Sequence, residues 1–87
     1  MKKWYVYIVQ CSDGTLYTGI TTDVNRRLNE HNSGKGAKYT RSRVPVTLMA
    51  VTEAGTRSEA SKEEYFIKQL SKEEKIKHVI NNKTNKK

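Results

Sequence analysis

The sequence predicts a small α/β layer fold (an α+β domain) with a three-stranded sheet flanked by helices in the order ββαβαα. Three observations carry that expectation. Residues 3 to 20 read as a β-hairpin, an amphipathic helix follows at once, and two capping-box signatures open helices in the last third.

Residues 3 to 10 and 15 to 20 are rich in Tyr, Val, Ile and Thr and bracket Ser12-Asp13-Gly14, which marks a hairpin. Thr22-Asp23 opens a helix to about His31, with Val24, Leu28 and His31 on one side. Residues 33 to 43, S-G-K-G-A-K-Y-T-R-S-R, lack periodicity and read as a basic loop. Val44 to Thr52 is the third strand, with Pro45 confined to its start. Thr56-x-x-Glu59 is a capping box for a helix through about Leu70, and Ser71-x-x-Glu74 repeats it for a short helix carrying Ile76, Val79 and Ile80. Trp4, Met49 and Phe66 are expected in the core, and His78 on the surface.

The 87 residues fit one domain over 1 to 80, with 81 to 87 (N-N-K-T-N-K-K) expected as a disordered basic tail. Chains this short bury only about 60% of the surface that unfolding exposes. Apolar runs are far too short for a membrane span, and no secretion signal opens the sequence. Cys11 has no second cysteine for a disulfide, which suits a reducing, cytoplasmic setting and a packing role. Seventeen Lys and Arg against nine Asp and Glu leave a net charge of +8, which points to a polyanionic partner such as nucleic acid, while the short apolar runs point to no membrane. A solvated basic surface gives the same count.

Hairpin parity decides which way the two tyrosines Tyr7 and Tyr17 face. A two-residue loop would place them on opposite sides of the ribbon. A three-residue loop, Ser12-Asp13-Gly14, makes partners sum to 26, so Tyr7 opposes Gly19 and Tyr17 opposes Val9. A type I turn followed by a left-handed Gly suits S-D-G, so the second register is expected. Both phenols then share a face as diagonal neighbours about 7 Å apart.

The first helix adds polar groups to the same side. Val24, Arg27, Leu28 and His31 follow the i, i+3, i+4, i+7 spacing of an inward stripe. A guanidinium turned towards a core needs a partner or an anion. A structural ion pair for Arg27 and a hydrogen-bonded core-edge role for His31 are the plainer alternatives. In the second helix the wheel puts Glu63 nearer the apolar centre than Glu64, which lies at its margin.

Y-V-Y (Tyr5 to Tyr7) and Y-T-G (Tyr17 to Gly19) resemble divergent forms of the two tripeptides that name the GIY-YIG nuclease superfamily. The likeness continues through T-G-I-T-T-D-V-N-R-R-L-N-E-H, G-K-G-A-K-Y-T and A-S-K-E-E-Y-F-I-K-Q-L, to about Val79. It is similar above all to the short single-domain bacterial members of uncharacterised function. The resemblance implies a GIY-YIG-like sheet flanked by helices and cleavage of a nucleic-acid phosphodiester with one divalent metal, Mg²⁺ or Mn²⁺. By position it implies Tyr7 and Tyr17 as the motif tyrosines, Arg27 and His31 as the helix pair, and Glu64 as the metal-binding carboxylate.

The residue chemistry is coherent with that role. Phosphodiester hydrolysis needs a deprotonated water, charge neutralisation at phosphorus and help for the leaving alkoxide. Arg27 offers a planar fork for phosphate oxygens. Glu64 could hold a metal weakly until substrate arrives, with waters and phosphate filling the other positions. Tyr7 or Tyr17 could orient or deprotonate water, assisted by His31, which titrates near neutrality. Lys35, Lys38 and Arg41 could contact phosphates while Tyr39 stacks on a base. The expectation is thus a monomeric metal-dependent endonuclease for DNA (structured or single-stranded) or RNA, with room for a protein partner supplying specificity. The alternative is a non-catalytic nucleic-acid-binding module on the same scaffold.

Overall fold

The structure, a computed structural model, describes residues 2–84, with side chains as far as position 80. Its elements run β1 (Trp4–Gln10), β2 (Leu16–Thr21), α1 (Val24–Asn32), α2 (Lys38–Arg41), β3 (Thr47–Gly55), α3 (Arg57–Lys68) and α4 (Lys72–Thr84). The expected order holds, with one addition. The basic loop contains a single helical turn, α2, too short to show a hydrophobic period. Helix α4 continues to Thr84, into the stretch expected as a tail; the rest of that stretch lies outside the described residues.

The sheet order is β2-β1-β3, with both pairings antiparallel. Because β1 is central, consecutive residues are buried on opposite faces: Val6, Tyr7, Ile8 and Val9 are all inaccessible or nearly so. One face carries Val6, Ile8 and Ala50 against Ala60 and Ile67 of α3 and Val79 of α4, with Trp4 packed at the margin. The other carries Tyr7, Val9, Cys11 and Val46, with Tyr17, Leu28, Leu48 and Val51 around them. Each core is small, so single anchors matter. Truncating a fully buried Ile such as Ile67 to Ala typically costs about 2–5 kcal/mol.

The hairpin adopts the three-residue register. Tyr7 pairs with Gly19 and Val9 with Tyr17. The turn closes through Cys11 N–H to Thr15 O (2.8 Å) and Gly14 N–H to Cys11 O (2.9 Å), with Gly14 at φ +87°. That φ is the left-handed position a three-residue loop assigns to Gly. Lys72 Nζ donates to Gly14 O (2.7 Å), tying the start of α4 to the turn.

The caps fall where expected. Asp23 accepts from Arg26 N–H at 3.0 Å and starts α1. Thr56 and Glu59 form a complete capping box, and Ser71 with Glu74 forms a second: Ser71 N–H donates to Glu74 at 3.1 Å, and Glu74 N–H returns to Ser71 at 3.3 Å.

Four expectations are corrected. Strand β3 begins at Thr47, not Val44, because the Asn32 side chain captures both backbone groups of Val46, accepting from its N–H (2.6 Å) and donating to its carbonyl (3.2 Å). Those groups are then lost to the ladder. Met49 is 40% exposed instead of core: Ile8 pairs with Ala50 and Val9 with Leu48, so Met49 is the extra residue of a bulge. Phe66 is 48% exposed, lying beside the inward line of Ala60 and Ile67, with its ring 5.1 Å from that of His78. His78 is itself half-buried and meets the Glu63 carboxylate.

Candidate active site

Tyr7 and Tyr17 lie on one face of the ribbon with ring centroids 6.5 Å apart. Gly19 makes this possible. A Cβ there would stand 2.6 Å from the Tyr7 oxygen, 2.7 Å from its Cζ and 3.1 Å from Tyr17 Cε2. The last residue of Y-T-G is therefore the floor on which the Tyr7 phenol rests. Thr18, between them, points to the opposite face; it is 2% exposed and its hydroxyl has no hydrogen-bond partner among the described residues.

Helix α1 lays His31 across both rings, with centroids 5.8 Å from Tyr7 and 5.4 Å from Tyr17. His31 is fully buried. Its Nε2 is hydrogen-bonded to the Tyr7 hydroxyl at 2.8 Å and its Nδ1 to Thr40 Oγ1 at 2.8 Å. The chain is brought back for this by a Schellman turn at the end of α1: Lys35 N–H donates to Glu30 O (2.8 Å) and Gly34 N–H to His31 O (3.2 Å), with Gly34 at φ +82°. Gly36 then passes directly under the imidazole. Any Cβ at Gly36 would overlap His31 Nδ1 and stand 2.8 Å from His31 Cα.

Arg27, one turn before His31, is in part the structural ion pair that the plainer reading envisaged. Its Nη1 donates to Glu30 at 2.9 Å. The pairing raises the guanidinium pKa and holds the Glu30 carboxyl below its usual range. Arg27 also acts on Tyr7. Burial pushes the Tyr7 phenol up to about 12; a hydrogen bond from Arg27 pulls the other way, and the Tyr17 and Glu64 charges add to the rise. His31 is held below its ordinary value, first by burial and then by the Arg27 charge, with Glu30 opposing. At neutral pH the pair is accordingly a neutral phenol beside a neutral imidazole.

Glu64 comes from α3, which packs on the other face of the sheet. Strand β2 is an edge strand, so α3 side chains reach the tyrosine side past it: Lys68 Nζ lies 5.9 Å from the Tyr17 ring centroid and pairs with Glu64 at 3.0 Å. The neighbouring Glu63 turns instead to His78 of α4. Pattern alone favours Glu63 as the more inward residue. It is inward, but towards α4.

Lys35, Lys38 and Arg41 are exposed on the loop and α2. Tyr39 is 39% exposed, stacks on Tyr17 with centroids 6.0 Å apart, and carries the Arg43 guanidinium 4.0 Å from its ring centroid. Arg43 also donates to Asp13 (3.0 Å) and to Tyr39 O (2.7 Å), stapling the loop to the hairpin turn. Four residues at this site were not singled out from sequence: Gly36, Thr40, Arg43 and Lys68. Their contacts with His31 (Gly36 and Thr40), Asp13 (Arg43) and Tyr17 (Lys68) span 5 to 51 positions of chain, where no helix or strand period links the partners.

Among the described residues no group of three or more His, Cys, Asp or Glu side chains is placed to hold a metal ion. A lone carboxylate is nonetheless a hard oxygen donor of the kind Mg²⁺ uses, with waters and substrate phosphate completing its shell. Glu64, half-buried and close enough for its charge to act on Tyr7, fits that donor chemistry once its Lys68 partner gives way. Among the described residues no helix is long and apolar enough to cross a membrane.

The model of the GIY-YIG catalytic domain matches residues 3–77 of the chain. A UPF0213 protein of Desulfotalea psychrophila is 68% identical over 69 residues, which is 78% of this chain and 63% of that protein, so the chain spans just under two thirds of this relative. One from Halobacterium salinarum is 59% identical over 71 residues, 82% of this chain and 92% of the relative. Among solved structures, a protein from E. faecalis superposes with a TM-score of 0.67 at 40% identity, over 100% of this chain and 93% of the other. The UPF0213 protein of Bacillus halodurans gives a TM-score of 0.54 at 51% identity, over 88% and 82% of the two chains. The two tripeptides meet at the Tyr7–Gly19 pair of the hairpin and the domain match runs into α4; the chain belongs to the GIY-YIG catalytic-domain family.

Proposed function

We propose that this protein is a divalent-metal-dependent endonuclease that hydrolyses phosphodiester bonds in DNA or RNA. The observation that carries the reading is the Tyr7–His31 hydrogen bond, flanked by the Arg27 guanidinium and within reach of the Glu64 charge.

With its pKa near 12, Tyr7 holds almost no phenolate at neutral pH. It can still move a proton by relay. As the attacking water loses a proton to the Tyr7 oxygen, the phenol's own proton passes to His31 Nε2, 2.8 Å away. Tyr7 ends neutral and His31 ends as imidazolium, whose charge Glu30 favours. Arg27, released towards substrate, offers its planar fork to the phosphate oxygens as charge builds on them. Tyr17, stacked on Tyr39 and edge-on to His31, walls the site and can orient the water. Glu64 would hold Mg²⁺ or Mn²⁺, which when bound supplies Lewis acidity towards the phosphate. The exposed Lys35, Lys38 and Arg41 would track the backbone.

The test is divalent-dependent nicking of flap, hairpin and single-stranded DNA and RNA by wild type and Glu64→Ala. Cleavage by wild type and its loss in the variant support the reading. Equal behaviour of the two ends it. The Glu64–Lys68 pair favours one rival, a binding module that uses the scaffold without chemistry. That reading expects salt-sensitive binding with no cleavage by either protein.

A further inference from the structure

We infer that Thr40 is a positioning residue for the proton-transfer pair: it fixes His31 as the Nδ1–H tautomer, leaving Nε2 bare to receive the Tyr7 proton. The inference rests on the nuclease reading for its consequence, but not for its geometry.

The assignment follows from counting protons. The Thr40 hydroxyl has one, and it lies 2.9 Å from the Ala37 carbonyl, which can only accept. With that proton committed, the Thr40 oxygen faces His31 Nδ1 at 2.8 Å as an acceptor, so Nδ1 must carry the hydrogen. A neutral imidazole has a single N–H. Nε2 is therefore a lone pair, and the Tyr7 hydroxyl, 2.8 Å away, donates to it. Each bond in the series Tyr7, His31, Thr40, Ala37 O runs one way. The backbone carbonyl at its end sets the direction, much as the partner of one ring nitrogen sets the state of the other in any histidine.

The surroundings allow no alternative acceptor. Both His31 and Thr40 are 0% exposed, so water cannot replace the hydroxyl. Gly36 packs against the ring and leaves no space for the imidazole to turn. Helix α2 is a single turn whose Thr40 N–H also donates to Ala37 O (3.0 Å), so this turn is what presents the hydroxyl. With the opposite tautomer, Nε2–H would confront the Tyr7 hydroxyl and the relay would have no terminus.

The experiment compares wild type, Thr40→Ser and Thr40→Val as full-length ¹⁵N-labelled protein, reading the His31 ring nitrogens by long-range ¹H–¹⁵N correlation where the ring is neutral. A His78→Gln sample assigns the signals, since His78 is the other histidine. Wild type and T40S are expected to show a protonated Nδ1 and an unprotonated Nε2. T40V, which keeps the shape and lacks the acceptor, is expected to shift towards Nε2–H and to lose cleavage by about 10²–10⁴-fold, the contribution of a general base, with T40S near wild type. Nε2–H in wild type overturns the inference, as does T40V matching wild type in both tautomer and rate. Should T40V fail to fold, the wild-type and T40S tautomers still decide. The expected tautomers in a protein that cleaves nothing would end the nuclease reading and leave the Thr40 assignment standing.

Discussion

Gly19→Ala puts the tyrosine arrangement under the sharpest test. The new Cβ would lie 2.7 Å from Tyr7 Cζ. Ordinary carbon contact begins at about 3.5 Å, so the ring must move by roughly 0.8 Å. Tyr7 is 2% exposed and hydrogen-bonded to His31 at 2.8 Å, so a displacement of that size stretches the bond to about 3.6 Å, beyond hydrogen-bond range. Overpacking of this kind costs about 1–3 kcal/mol. Misplacing a reacting group by about 1 Å can cost about 10²-fold in rate. Gly14→Ala is the matched control. Its φ of +87° makes Ala strained there by about 1–2 kcal/mol, yet nothing lies within 4 Å of the new methyl. Urea denaturation followed by circular dichroism should show similar losses of stability for the two variants. Single-turnover cleavage with both folded should fall about 10²-fold for G19A and hold for G14A. Equal rates, or a G19A as stable as wild type, would refute the reasoning.

Stability should fall as pH drops below the ordinary histidine value of about 6.5. The folded-state pKa of His31 lies below its unfolded value, so the unfolded chain takes up the proton first; the loss accrues at up to about 1.4 kcal/mol per pH unit and ends once pH passes the folded value. Urea titrations of His31→Gln should be flatter through that window. Arg27→Lys keeps the charge and loses the fork, so cleavage should drop by about 10²–10³-fold, the worth of one transition-state donor, with a smaller change in binding measured by fluorescence anisotropy. The double change Lys35→Ala/Lys38→Ala should weaken duplex binding and lower the slope of log K against log salt by about 0.9 for each phosphate contact removed; an unchanged slope takes these lysines out of the interface.

Much of the fold was legible because its signals are local. Ser12-Asp13-Gly14 set the hairpin parity, and parity alone put Tyr7 and Tyr17 on one face, as the observed pairs show. The two capping boxes are four-residue patterns and formed as read. What escaped depends on contacts between distant residues. The start of β3 turns on Asn32 holding Val46, 14 positions away. Met49 is exposed because of a bulge that only the pairing of β1 with β3 reveals. A helical wheel ranks Glu63 above Glu64 because it knows nothing of α4, where Glu63 finds His78. Thr40 sits nine residues beyond His31 on a turn too short for any period, so its link to the imidazole is visible only in three dimensions.

The central claim is that the Tyr7 hydroxyl, bonded to His31, moves the proton in phosphodiester cleavage. Tyr7→Phe removes that one oxygen and keeps the ring. Single-turnover cleavage by wild type and Y7F, in Mg²⁺ and with the folded fraction of each measured alongside, tests it most directly. A Y7F rate lower by about 10²–10⁴-fold is predicted; a Y7F that cuts as fast as wild type would contradict it.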